Sequence, residues 1–125
     1  MPAPQAFIAL NPAQCDVKAF DCGKPDMNRF LARYAAKNMR LGLSSTWVLP
    51  ARAMASEAKT PIAAYYTLAA STVSKAEVPV DTNLPNYPVP VVLLARLAVD
   101  RAFQGRRYGE KTLVSALRRS VTLTD

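Results

Sequence analysis

The chain has no histidine among its 125 residues. That removes every Ser/His/Asp and Cys/His nucleophile scheme, in which an imidazole acts as the base. Cysteine is scarce as well: Cys15 and Cys22 are the only two, and without histidine they cannot assemble the common zinc sites, so no metal centre is expected. The two thiols are expected to be reduced and partly buried, the usual behaviour of cytosolic cysteine. No apolar run approaches the roughly 20 residues that cross a bilayer. The opening MPAPQAFIALNPAQ also lacks the basic start and apolar core of an export signal, so a cytoplasmic location without membrane association is expected. A hydrophobic share of 50% over this length leaves room for one domain across residues 1–125 and makes a second unexpected.

Charge, by contrast, is plentiful and of one sign. The formal net charge is +7. Residues 16–40 carry six basic and three acidic side chains and residues 96–125 carry seven and three, while the middle of the chain is neutral. Such a surplus favours polyanionic partners such as RNA or a phosphorylated cofactor, and it equally serves solubility.

Hydrophobic periodicity divides the chain into elements. Phe7, Ile8 and Leu10 read as a first strand, stopped by Asn11 and Pro12. From Pro25 to about Met39 the period changes: Met27, Phe30, Leu31, Tyr34 and Ala35 fall on one helical face, with Gly42 as the stop. Arg29, Arg33, Lys37 and Arg40 line the other side, either as the solvated flank of the helix or as a surface facing substrate. Thr46 to Leu49 read as a second strand, and Pro50 to Pro61 as a polar hairpin connection. The run IAAYYTLAA from Ile62 to Ala70 reads as a third strand covered on both faces. In it Tyr65 and Tyr66 are either core aromatics or part of an acceptor site. Ser71 to Pro90 holds Pro79, Pro85, Pro88 and Pro90 and reads as a long connection, with LPNYPVP suited to the wall of a binding site. Val91 to Val99, apolar except for Arg96, is expected to be central in the sheet. Arg96 needs a partner there: a carboxylate such as Asp100, a phosphate or solvent. After it come Asp100, the loop QGRRYG and an amphipathic helix starting near Gly109 or Glu110.

A strand that feeds a glycine-containing loop opening a helix is suited to phosphate, because successive amide N–H groups and the positive helix end converge on one point. Here that loop is Gln104, Gly105, Arg106, Arg107, Tyr108 and Gly109. Taken alone it is equally an ordinary polar turn.

Four segments in order carry a more specific signal. LLARLAVD occupies Leu93 to Asp100, with Gln104, Gly105 and Gly109 following; FDCGKPDMNRFL, AAYYTLAAS and LPNYPVPVVLLARL lie upstream. Together they resemble the GNAT-type N-acetyltransferases, in the branch that forms the toxins of bacterial type II toxin-antitoxin pairs. That family binds the pyrophosphate of coenzyme A with Q/R-x-x-G-x-G/A after its fourth strand. The sequence departs from the pattern in three ways. Arg107 stands where the first glycine of that pattern is usual, and would be strained if the backbone there needs positive φ. Ala64 replaces a glycine of the third strand. The sequence also stops at Asp125, where the family continues into further strands and a helix carrying the tyrosine believed to protonate the departing thiolate, so no catalytic residue is assigned.

The resemblance implies an α+β fold: a GNAT-like mixed, mainly antiparallel central sheet flanked by helices, lacking the family's C-terminal strands and helix. It implies acetyl-CoA as cofactor, with Leu97, Ala98 and Val99 pairing with the pantetheine arm and polarising the thioester carbonyl. Gln104 and Gly105 would open the loop, and Arg106, Arg107, Tyr108, Gly109 and Glu110 would present amides to the pyrophosphate. Arg96, Tyr65, Tyr66, Arg29 and Arg33 are the candidate acceptor-binding residues. The implied activity is acetylation of the amino group of aminoacyl-tRNA, which blocks translation; the alternative is a truncated, non-catalytic module that binds acetyl-CoA or protein. The implied protein partner is an antitoxin with a ribbon-helix-helix domain. If the fifth strand of the family is absent, the apolar fourth strand has an open edge, and self-association, as a homodimer or by exchange of elements, is expected. A clean monomer by light scattering at high protein concentration would contradict that expectation.

Overall fold

The structure is a computed structural model that describes residues 6–54, 58–73 and 89–124. In chain order the elements are β1 (Ile8–Ala9), β2 (Cys15–Asp16), α1 (Pro25–Arg29), a π-helical turn (Phe30–Tyr34), α2 (Ala35–Arg40), β3 (Ser45–Pro50), β4 (Thr60–Val73), β5 (Val89–Val99), a 3-10 turn (Arg101–Phe103) and α3 (Tyr108–Thr124). β1, β3, β4 and β5 pair antiparallel in that order, and β2 adds a short parallel pairing at the start of β4. This is the expected mixed, mainly antiparallel sheet flanked by helices.

β4 organises both cores. Tyr65 and Tyr66 point to opposite faces, as adjacent strand residues must, and both are fully buried. On one face Tyr65 packs with Phe20, Phe30, Leu31, Ala35 and Val48, joining the α1–α2 segment to the sheet. On the other, Tyr66 packs with Phe7, Leu49, Leu68 and Ala116, which seats α3. The apolar residues on both faces of β4 follow from this double coverage. The buried Thr67 within this strand is satisfied across the ladder: Thr46 Oγ1 and Thr67 Oγ1 lie 2.7 Å apart in register.

Three expectations need correction. β5 is not central: among the described residues it pairs with β4 alone, and Leu93 and Leu94 are 48% and 39% exposed. Its apolar run is longer than the cover its single neighbour and α3 provide, and periodicity does not distinguish the two situations. Pro90 is not outside the ladder but pairs with Thr72 inside β5, a placement that an edge strand tolerates because a missing N–H can face outward. The connection expected over Ser71 to Pro90 is shortened from both ends by the strands, and most of LPNYPVP lies outside the described residues. The helix, for its part, does not run as one regular α-helix: the π turn at Phe30–Tyr34 lies where Phe30 and Leu31 insert into the core.

Leu31 is 1% exposed at the centre of the α1–α2 face. Leu31→Ala should therefore cost about 3 kcal/mol in urea unfolding, through lost transfer energy and the cavity left behind.

Candidate cofactor site

The site begins where β5 ends. Asp100 donates its backbone N–H to Ala63 O at 2.8 Å, closing the ladder. Its carboxylate then accepts from Ala102 N at 2.9 Å, capping the 3-10 turn, and from Asp21 N at 3.0 Å. Asp21 answers by accepting Arg101 N at its carbonyl, 2.8 Å. Its carboxylate takes the Gly23 amide and Asn28 Nδ2, both at 2.9 Å, and Asn28 Oδ1 accepts from Cys22 N at 2.9 Å. Gln104 completes the clasp: Nε2 donates to Cys22 O at 3.1 Å and Val99 O at 2.8 Å. The FDCG segment, the entrance to α1 and the end of β5 are thus one hydrogen-bonded unit. Gly23 is required in it, with φ of 90° and a Cβ there falling 3.2 Å from Arg101 Nε.

Because Asp100 N–H faces β4 and Val99 carbonyl faces Gln104, strand alternation turns Leu97 and Val99 away from β4 and Ala98 toward it. The outward side opens into a cavity of about 240 Å³ lined by Leu97, Ala98, Val99 and Gln104 together with Cys22, Lys24 and Met27. The last three were not among the sequence candidates; only the FDCG segment preceding α1 could have signalled them.

Past Gln104 the loop turns through two left-handed residues, Gly105 at φ 80° and Arg107 at φ 65°. The position where glycine is usual in the resemblance does demand positive φ, and Arg107 adopts it with its side chain exposed. α3 then starts at Tyr108. The amides of Tyr108, Gly109 and Glu110 have no acceptor among the described residues, whereas Lys111 N donates to Arg107 O. Three amide donors left open at the N-terminus of a 17-residue helix are the kind of arrangement that suits an anion. Arg106, Arg107, Tyr108 and Glu110 also border a second, larger cavity of about 990 Å³ on the α3 face. The loop residues are therefore divided between two cavities.

The acceptor candidates are not brought together. Arg96 pairs with no carboxylate among the described residues: its guanidinium lies 4.3 Å from the Phe30 ring centroid, and Nη1 is 3.4 Å from Met27 Sδ. Tyr65 OH donates to Met27 O at 2.8 Å, and burial, partly offset by Arg96, pushes its hydroxyl far above the usual phenol range. Tyr66 OH lies 3.0 Å from Ser115 Oγ and accepts from Arg119 Nε at 2.8 Å. Both tyrosines are core residues with engaged hydroxyls. Arg29 and Arg33 are exposed, and Arg29 forms a 3.3 Å surface pair with Asp26. Both cysteines are free; Cys15 is buried, which raises its thiol pKa. Among the described residues no cluster could hold a metal, and no helix is long and apolar enough to cross a membrane.

Two measurements test this geometry. Arg107→Gly should raise stability by about 1 kcal/mol, since glycine adopts the left-handed region without steric cost. The Asp21 carboxyl is held below its ordinary pKa first by the Gly23 amide and then by Asn28. The stabilisation it gives is therefore complete above about pH 4 and is lost as pH falls through the lowered folded value. The stability gap between the wild type and Asp21→Asn, measured by urea unfolding at neutral and acid pH, should narrow at the acid end.

No protein-family model matches the chain. Among curated proteins it is 37% identical over 112 residues to a tRNA-acetylating toxin of Mycobacterium tuberculosis, a match covering 88% of this chain and 63% of that protein. The chain thus spans less than two thirds of that relative's length. A solved structure of AtaTR bound with acetyl-CoA superposes with a TM-score of 0.78 at 26% identity, over 95% of this chain and 69% of that one. AtaT complexed with acetyl-methionyl-tRNAfMet does so with a TM-score of 0.74 at 27% identity, over 90% and 66%. The chain is thus similar in sequence to a tRNA-acetylating toxin and in fold to AtaT, the likeness that the GNAT-type resemblance implies.

Proposed function

We propose that the chain is the acetyl-CoA-binding part of an N-acetyltransferase toxin whose acceptor is the amino group of aminoacyl-tRNA. The observation that carries this reading is the succession along the chain of the outward edge of β5, a left-handed loop and three amides without acceptors among the described residues at the start of α3. Leu97 and Val99 would hold the pantetheine arm as an added strand, and an outward N–H would polarise the thioester carbonyl. Tyr108, Gly109 and Glu110 would hold the diphosphate by their amides. Gln104, fixed by Cys22 and Val99, keeps the loop in register with the strand. Acetyl-CoA supplies the activated acyl group when bound. The related proteins, a tRNA-acetylating toxin and AtaT in complexes with acetyl-CoA and with acetyl-methionyl-tRNAfMet, point to the ligands of this reading.

Several further assignments belong to the same proposal: a cytoplasmic site of action, an antitoxin as protein partner with a ribbon-helix-helix domain, and self-association along the open edge of β5. A second reading, a binding module without transfer activity, is favoured by two observations. Arg107 occupies a left-handed position, and the hydroxyls of Tyr65 and Tyr66 are both committed to structural partners.

Calorimetry with acetyl-CoA, followed by thiol release in the presence of charged tRNA, separates the readings. Binding with release supports the enzyme, and binding alone supports the module; absence of binding overturns both. Gln104→Ala should weaken acetyl-CoA binding about tenfold by releasing the loop from the strand.

A further inference from the structure

The larger cavity, on the α3 face, has a composition that the cofactor reading does not use beyond its mouth. Its floor is apolar, formed by Phe7, Trp47 and Val114. Arg106, Arg107, Arg118 and Arg119 line it, against Glu110 as the one acid among the described lining residues. We propose that this groove between α3 and β3 docks an acidic peptide segment that also carries apolar side chains.

Charge complementarity sets the sign of the occupant, and Trp47 decides its class. A single-stranded RNA held by such a basic groove gains most from stacking bases on an exposed aromatic face. Trp47 offers none: one ring face stacks on Tyr66 at 5.5 Å, and the Arg119 guanidinium sits 4.6 Å from the indole centroid. Arg119 is held in place by its bond to Tyr66 OH. What remains open is the indole edge, the Val114 side chain, 39% exposed, and the exposed Arg118. That surface suits short apolar side chains flanked by carboxylates, with the affinity steered by charge. The inference is independent of acetyl transfer, and it gives a protein partner a specific surface.

Trp47 is the only tryptophan in the chain, so its emission reports occupancy of the groove directly. The full chain is titrated with a short synthetic peptide alternating glutamate and leucine, its glutamine counterpart, and oligouridylate. The expected result is a saturable change with the glutamate peptide alone, weakened about tenfold by Arg118→Glu and unaffected by Arg40→Glu on α2. Both arginines are exposed, and thermal melts verify that the variants fold. Val114→Ser should also weaken the peptide, which tests the apolar floor separately from the charge. Acetyl-CoA calorimetry on Arg118→Glu should match the wild type, so failure here and failure of the cofactor reading are distinguishable. The proposal is overturned by no saturable change, by tighter binding of oligouridylate, by an unaltered Arg118→Glu variant, or by equal weakening in Arg40→Glu.

Discussion

The carboxylate of Asp100 ties two parts of the chain that are 79 residues apart in sequence. It ends β5, caps the turn that follows and receives the Asp21 amide, so the position of the loop before α3 is fixed relative to the entrance of α1. Backbone polar groups near a sheet end must find partners or remain solvated, and here they find one another. Gln104 then spans from the FDCG segment to Val99, which keeps the outward edge of β5 and the start of α3 on one path. Without this clasp the strand edge and the helix N-terminus would be two unrelated features.

The two helical layers divide the work. On the α1–α2 side, Tyr65 holds Met27, which lines the small cavity, and Phe30 lies under the Arg96 guanidinium. On the α3 side, Tyr66 joins Trp47, Ser115 and Arg119 under a broad basic groove. Both tyrosines come from adjacent positions of one strand, so β4 couples the floors of the two cavities. The left-handed Arg107 lies between them, at the point where a backbone suited to glycine carries a long cationic side chain.

Much of this was legible in the sequence. The LLARLAVD run and the QGRRYG loop gave a strand, a turn and a helix in the observed order, and the demand for positive φ at Arg107 could be anticipated from the glycine usual there. What could not be read was context. Apolar residues on both faces look the same in a central strand and in β5, whose exposure is decided by what packs beside it. The π turn leaves the i, i+3, i+4 pattern of Met27, Phe30 and Leu31 intact, so periodicity did not reveal it. Asp21 and Asn28 read as ordinary polar residues, because their partners come from the far end of the chain.

Amide resonances of the labelled chain, followed during titration with acetyl-CoA, test most directly whether strand edge and helix start form one receptor. Leu97, Val99, Tyr108, Gly109 and Glu110 should shift together along a single saturating isotherm while the α1–α2 amides remote from Met27 stay still. Shifts confined to the α3 groove, or no saturable shift at these five amides, would mean that the path from β5 to α3 is not a cofactor site.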